Sequence, residues 1–245
     1  MRIIIHDPLG SASAIGSNGQ MPETIQPKRI AATDAPPSPV RAGRPTREQA
    51  QARHAQLLDC AFDHFLDKGF EPTTIEALAA EVSMTKRTVY ARYPDKASLF
   101  RAAIQRGTER RAASAETIAA TRADTLEETL VGIAMLRIQL AGSPEGVKLQ
   151  RLINTEAYRF PDIFQTYYEI AALPTVRFLA DILDEETRAG RLAIEDAMLS
   201  STVFMSMVVS APVRFLISGN ELPAQDVDRR VRFAVRLFLK GALPR

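Results

Sequence analysis

One cysteine in 245 residues, Cys60, excludes an internal disulfide and fits a reducing cytosol, so a cytoplasmic location is expected. Histidine is nearly as scarce: His6, His54 and His64 all fall in the first third of the chain. Cys60 and His64 stand four apart and share a helix face if that stretch is helical, but no second pair completes a metal set. Cys60 is read as a packed thiol. A glycine-rich phosphate loop and an alternating strand pattern are both missing. Glu127 with Glu128, and Asp184 with Glu185 and Glu186, read as solvated helix faces rather than paired catalytic acids. No enzyme constellation and no cofactor are expected. Net charge is only +2, which argues against a protein that coats DNA by charge alone. The uncharged stretch 197–213 has 17 residues, but four serines, a threonine and Pro212 interrupt it. It falls short of the ~20 predominantly apolar residues of a membrane span and is expected to be a buried helix, with no membrane partner.

What is present is helical periodicity, in a chain whose 46% hydrophobic residues suffice for a substantial core. The fold class is all-α. Residues 1–42 combine Gly, Ser, Pro and Ala without a periodic apolar pattern and are expected to be disordered. They lack the pattern of a signal peptide, and Met21 offers an alternative start. Arg41, Arg44 and Arg47 then form a basic arm that either reaches a minor groove or only solubilises the leader. A helix over 47–68 carries Leu58, Ala61, Phe62, Phe65 and Leu66 on one face and stops at Gly69. Asp95 caps a linking helix expected to run to about residue 119. Beyond residue 120, helices are expected from Asp124 or Thr125 to Gly142, from Ser143 to about Phe160, and from Pro161 to Gly190 with a kink or break at Pro174. A last amphipathic helix sets Val227, Val231, Ala234, Val235, Phe238 and Leu239 against Arg229, Arg230, Arg232 and Arg236.

The densest information lies in residues 73–99, TTIEALAAEVSMTKRTVYARYPDKASL, two short helices joined by a tight turn and followed by the start of a third. Thr73 with Glu76 makes a capping box, and Ile75, Leu78, Ala79 and Val82 keep to one face. Ser83 and Met84 form the turn, Thr85 caps the second helix, and Met84 with Val89 is placed like a hydrophobic staple. Val89 and Tyr93 can face inward, which leaves Lys86, Arg87, Thr88 and Tyr90 toward solvent as phosphate and base-edge donors. Residues 41–111 hold 13 Lys and Arg against 9 Asp and Glu, so the basic excess accompanies this unit.

This stretch resembles the DNA-binding domain of TetR-type transcriptional regulators. The likeness runs from GRPTRE at Gly43 through FLDKGFEPTT to TVYARYPDKASLF, ending at Phe100. Residues 151–169, RLINTEAYRFPDIFQTYYE, resemble the C-terminal domain of an AefR-like subgroup. The resemblance implies a helix-turn-helix domain over 43–94, a linking helix over 95–119 and an effector-binding and dimerisation domain over 120–245. It also implies a homodimer through the last two long helices, a double-stranded DNA operator and, in most members, repression. Candidate DNA contacts are Arg44, Thr73, Thr74, Thr85, Lys86, Arg87, Thr88, Tyr90, Tyr93 and Lys96, the last resembling the family's phosphate-contacting lysine. The family commonly has glycine where this chain has Ser83.

The function so implied is a sequence-specific regulator released from a palindromic operator by a small, mostly apolar effector. Met135, Ile153, Phe164, Tyr168, Leu179, Phe204 and Met207 are the expected pocket lining, though core packing accounts for most of them as well. Glu156 and Arg159 either orient a polar group on the effector or pair with each other at i, i+3. Two readings from other classes stay open at this point: a non-specific DNA-organising protein, and a helical interaction protein whose helix-turn-helix no longer binds DNA.

Overall fold

A computed structural model describes residues 46–244, so the leader 1–42 and the arm residues Arg41 and Arg44 lie outside the described residues. Among the described residues there is no strand. The N-terminal part contains α1 (Arg47–Lys68), α2 (Ile75–Glu81), α3 (Lys86–Tyr90) and α4 (Lys96–Arg111). Local chemistry sets most of their ends. Thr46 caps α1 in a reciprocal capping box with Gln49, and Asp95 does the same for α4 with Ser98. Gly69 ends α1 at φ 83°, a left-handed value that glycine adopts without a steric penalty.

The expected linking helix is interrupted. α4 stops at Arg111, Ala112 is extended, and Ser114 caps a separate short helix, α5 (Ala115–Ala119). Ser114 Oγ accepts from the Thr117 amide, so a local side-chain bond replaces the helical ladder there. The body continues with α6 (Leu126–Gly142), α7 (Pro144–Glu156), α8 (Pro161–Tyr167), α9 (Leu173–Arg188), α10 (Ala197–Ile217) and α11 (Ala224–Ala242). Thr125 and Ser143 are the caps of α6 and α7, as the sequence suggests. Between α8 and α9 the chain widens into a π-helical turn, Tyr168–Ala172. Pro174, in the first turn of α9, has no amide hydrogen to offer the carbonyl four residues back, and the π turn takes up that mismatch.

Two apolar cores result. The first joins α1 to α4 with Leu149, Leu152 and Ile153 of α7, Ile163 of α8 and Phe160 from the corner between them. The second collects α6, α9, α10 and α11 around Leu130, Ile133, Leu179, Leu183, Phe204 and Val235. α10 departs from the expected buried helix. Ser201, Phe204, Met205 and Val208 face the second core, whereas Leu199, Val203 and Met207 are exposed, because nothing in the single chain covers that side. By length and composition α10 could cross a membrane, with a mean hydropathy of 1.5 over its most apolar stretch. Its inward side is nevertheless committed to α6 and α9.

The tightest helix contact in the first core is α4 on α1. A Cβ built at Gly107 would stand 2.2 Å from the ring of Phe62, which is itself fully buried. Gly107→Ala should therefore destabilise the protein by about 1–3 kcal/mol through overpacking, outweighing the gain of up to ~1 kcal/mol in helix propensity. Thermal melting monitored by circular dichroism checks the sign.

Candidate nucleic-acid interface

The candidate recognition element is α3, only five residues long, and its position depends on the turn before it. At the end of α2 the Met84 amide donates to the Ala79 carbonyl at 2.8 Å and the Ser83 amide to Ala80 at 3.2 Å, the paired bonds of a Schellman closure. Ser83 occupies the residue that must turn left-handed, at φ 53°, and is the one non-glycine residue with positive φ among the described residues. The turn keeps the usual geometry despite the serine, at a strain of roughly 1 kcal/mol. Thr85 then caps α3, its hydroxyl accepting from the Thr88 amide at 3.1 Å and bonding the Thr88 hydroxyl at 2.8 Å.

Val89 is fully buried and Met84 packs on the same core, as the staple requires. Opposite them Thr85, Lys86, Arg87, Thr88 and Tyr90 are exposed on one side, with Thr74 exposed nearby at the start of α2. Lys86 is 53% exposed, lies over the Tyr90 ring at 5.5 Å from its centroid and pairs with Glu76. The Glu76 carboxylate raises the Lys86 pKa and is itself lowered by Lys86. A pair this exposed contributes little to stability, so Lys86 can exchange it for another anion at small cost.

Three expected DNA contacts are placed differently. Thr73 is buried, 1% exposed, and its hydroxyl donates to the Gly69 carbonyl at 2.9 Å. The cap of α2 is Thr74, which accepts from the Ala77 amide, and Glu76 serves Lys86 instead of a capping box. Tyr93 is 8% exposed, with its hydroxyl 2.5 Å from His54 Nε2, so it anchors the end of α3 to α1. Burial and the nearby Arg92 and Arg106 lower the His54 pKa, and burial raises that of Tyr93. Lys96 is turned inward as well: its ammonium donates to the Phe70 and Glu71 carbonyls at 3.0 Å and lies over the Phe70 ring. Sequence reasoning saw the residue types but not which of two adjacent threonines the Gly69 carbonyl would claim.

The Cys60 thiol is flanked by His64 and by Glu81, which the sequence did not connect to it. Their ligand atoms lie within 4.8 Å of one another, so these three could hold a metal ion. The group also satisfies itself: His64 Nε2 bonds Glu81 at 2.7 Å, and burial beside Glu81 pushes the Cys60 thiol up to about 12. In this state it joins the end of α2 to α1.

The expected effector pocket is not assembled as read. Ile153 belongs to the first core, Leu179 and Phe204 are sealed in the second, and Met135 packs against the second. Phe164 and Met207 are exposed, and Arg159 pairs with Glu71 rather than with Glu156. Helix periodicity assigned faces correctly but could not say which faces meet. Two cavities of about 170 and 160 Å³ instead flank Arg137, the first lined by α4, α6, α7 and the π turn. Of the expected lining only Tyr168 reaches either, in the second.

Residues 57–103 match the family model of bacterial regulatory proteins of the tetR family, and residues 128–241 match the C-terminal domain of AefR-like transcriptional repressors. The chain belongs to the TetR family. It is 21% identical over 190 residues to YvkB, an HTH-type transcriptional regulator of Bacillus subtilis, covering 76% of this chain and 95% of that one. A crystal structure from Mesorhizobium loti assigned to the family superposes with a TM-score of 0.68 at 21% identity, covering 80% of this chain and 99% of the other. The flavonoid-responsive regulator FrrA gives a TM-score of 0.65 at 26% identity over 80% and 99% of the two chains. The TetR assignment makes the protein a transcriptional regulator and not an enzyme. At the turn that seats its α3, Ser83→Gly should relieve the left-handed strain and stabilise by about 1 kcal/mol, raising the melting temperature by roughly 2–4 °C. An unchanged or lower melting temperature would show that Ser83 carries no strain.

Proposed function

We propose that this TetR-family regulator is a homodimeric repressor that binds a palindromic operator through α3 and releases it when a small organic effector enters the body. The observation that carries the reading is the exposed set Thr85, Lys86, Arg87, Thr88 and Tyr90 held on a helix whose other side is locked by Val89 and Tyr93. A five-residue helix presents few side chains, so one copy reads too few base edges for specificity. Two copies in successive major grooves double the contacts and fix the half-site spacing at one helical turn. Thr74, at the start of α2, is placed to hold a phosphate alongside.

Pairing is supported by the apolar side of the last two helices. Leu199, Val203 and Met207 recur every four residues on α10 and, with Leu237 of α11, line one groove. Phe233 and Leu237 are 63% and 55% exposed in the single chain. A second copy laid across this groove buries both sets symmetrically and completes a four-helix bundle. The effector reading is supported by the cavities beside Arg137 and by FrrA, whose responsiveness to flavonoids shows an organic-molecule response in a protein of the same shape.

Lys86→Ala and Tyr90→Ala should each weaken operator binding by about 1–3 kcal/mol while leaving helical content and the dimer intact. If Lys86 meets a phosphate, its loss also lowers the slope of log affinity against log salt by about one unit. Gel-shift titration on a site selected from a random DNA pool tests both, and unchanged affinity in both variants would remove the reading. Selection that enriches no sequence would favour an organising protein. Separately, Leu237→Glu removes a burial worth ~1.5–3 kcal/mol from each side of a twofold interface and should raise the dimer dissociation constant at least tenfold. Analytical ultracentrifugation in which the wild type is already a monomer would rule the dimer out.

A further inference from the structure

Arg137 is 5% exposed, in the middle of α6, and one hydrogen bond is recorded for its guanidinium, from Nη1 to the Ala171 carbonyl at 2.5 Å. No carboxylate lies within salt-bridge distance of it among the described residues. A buried guanidinium stays charged, and an unpaired buried charge is costly unless something completes it. Both cavities flanking it include Arg137 in their walls, so its remaining donors border open space rather than packed side chains. In the first cavity Arg111 of α4 is a second guanidinium, stacked over Phe62 and likewise without a recorded carboxylate partner. Tyr167 adds a hydroxyl, those of Thr108 and Ser143 being spent on the Ile104 and Leu140 carbonyls, and Leu140, Ala141, Leu149 and Ala171 supply apolar wall. One acidic residue, Glu145, is present at the exposed first turn of α7.

We propose that this cavity binds a small organic carboxylate, its anionic group on Arg137 and Arg111 and its apolar body against Leu140, Ala141 and Leu149. The inference rests on the effector reading above and makes that effector an anion, where the sequence alone suggests a mostly apolar one. Size narrows the class. The cavity holds about 170 Å³, close to the ~150 Å³ space that accommodates a benzene ring, so a monocyclic or short branched acid fits. An Arg fork is also the donor geometry that grips a carboxylate through two parallel bonds. Position gives the site a route to the reader. Arg137 holds the π turn by Ala171, that turn packs on α4, and only five residues separate α4 from α3. π turns are common where a helix must adjust, and this one meets the proposed ligand directly.

Benzoate, with benzyl alcohol as the uncharged control, tests the proposal on the full chain by titration calorimetry. The expected result is saturable binding of benzoate at least tenfold tighter than of benzyl alcohol, with that preference lost in Arg137→Gln and reduced but retained in Arg137→Lys. A wild type that binds neither compound, or prefers the alcohol, overturns the proposal without any variant. A preference that survives intact in Arg137→Gln overturns it too. If Arg137→Gln does not melt cooperatively, Arg111→Gln serves in its place, since Arg111 is partly exposed and its loss should weaken benzoate binding severalfold. Operator release by benzoate is measured apart, by fluorescence anisotropy. Tight, Arg137-dependent binding without release would uphold the site and remove the repressor mechanism.

Discussion

The ring of Phe70 joins the DNA-reading part of this protein to its body. It follows the left-handed Gly69 and packs against Phe65, Phe100 and Phe160, with centroids 4.8–6.0 Å apart. Phe65 comes from α1, Phe100 from α4 and Phe160 from the corner between α7 and α8. Offset and edge-to-face pairs of this kind add about 0.5–1.5 kcal/mol each beyond the area they bury. Lys96, Arg101 and Arg159 then lie over the outer faces of Phe70 and Phe160. The cluster explains why Lys96 turns away from solvent: two carbonyls and a ring face satisfy its ammonium better than a free position would. It also means that packing runs without a seam from residue 57 into α7 and α8. Movement of α7 and α8 must carry α1 and α4 with it, because a packed aromatic cluster is not continuously deformable.

Much of this was legible because helix ends are local events. The hydroxyl or carboxylate at Thr85, Asp95, Thr125 and Ser143 needs only the amide three residues on, and each cap forms where the sequence places it, Thr125 being one of two adjacent candidates. Long-range choices were not legible. Thr73 and Thr74 are chemically equal, and only the Gly69 carbonyl, four residues upstream in a folded loop, separates them. The break after α4 carries no glycine or proline to announce it. Glu81 meets Cys60 and His64 across two helices, so the sequence spacing showed only half of that group. The expected pocket failed for the same reason: apolar side chains at helical spacing were found, but α6, not periodicity, decides which cavity exists. The one side chain that marks it is a buried arginine, a residue type that apolar patterning overlooks.

Charge on the reading face favours a selective reader over an organising protein. Beside α3 the carboxylate of Glu76 is exposed and holds Lys86 directly. Indiscriminate binding depends on many unopposed cations facing phosphate. Here each approach of the backbone must displace or avoid an acid, which penalises loosely docked poses. A pose that places Lys86 on the duplex and leaves Glu76 in solvent escapes that penalty, and it is one orientation among many.

The energetics of release set a requirement that the Arg137 cavity can meet only as part of a pair. Moving a two-state regulator from almost fully bound to almost fully free takes a differential affinity of about 5.5 kcal/mol. A charge-assisted hydrogen bond contributes about 1.5–3 kcal/mol, so a single such bond falls short. In the proposed homodimer two subunits, each with its own cavity beside its own α4, would reach the required range together. The cooperativity then comes from the operator, which both recognition helices must fit at once. On this account an unpartnered arginine is tolerated in the core because the cost of leaving it unpaired favours anion binding.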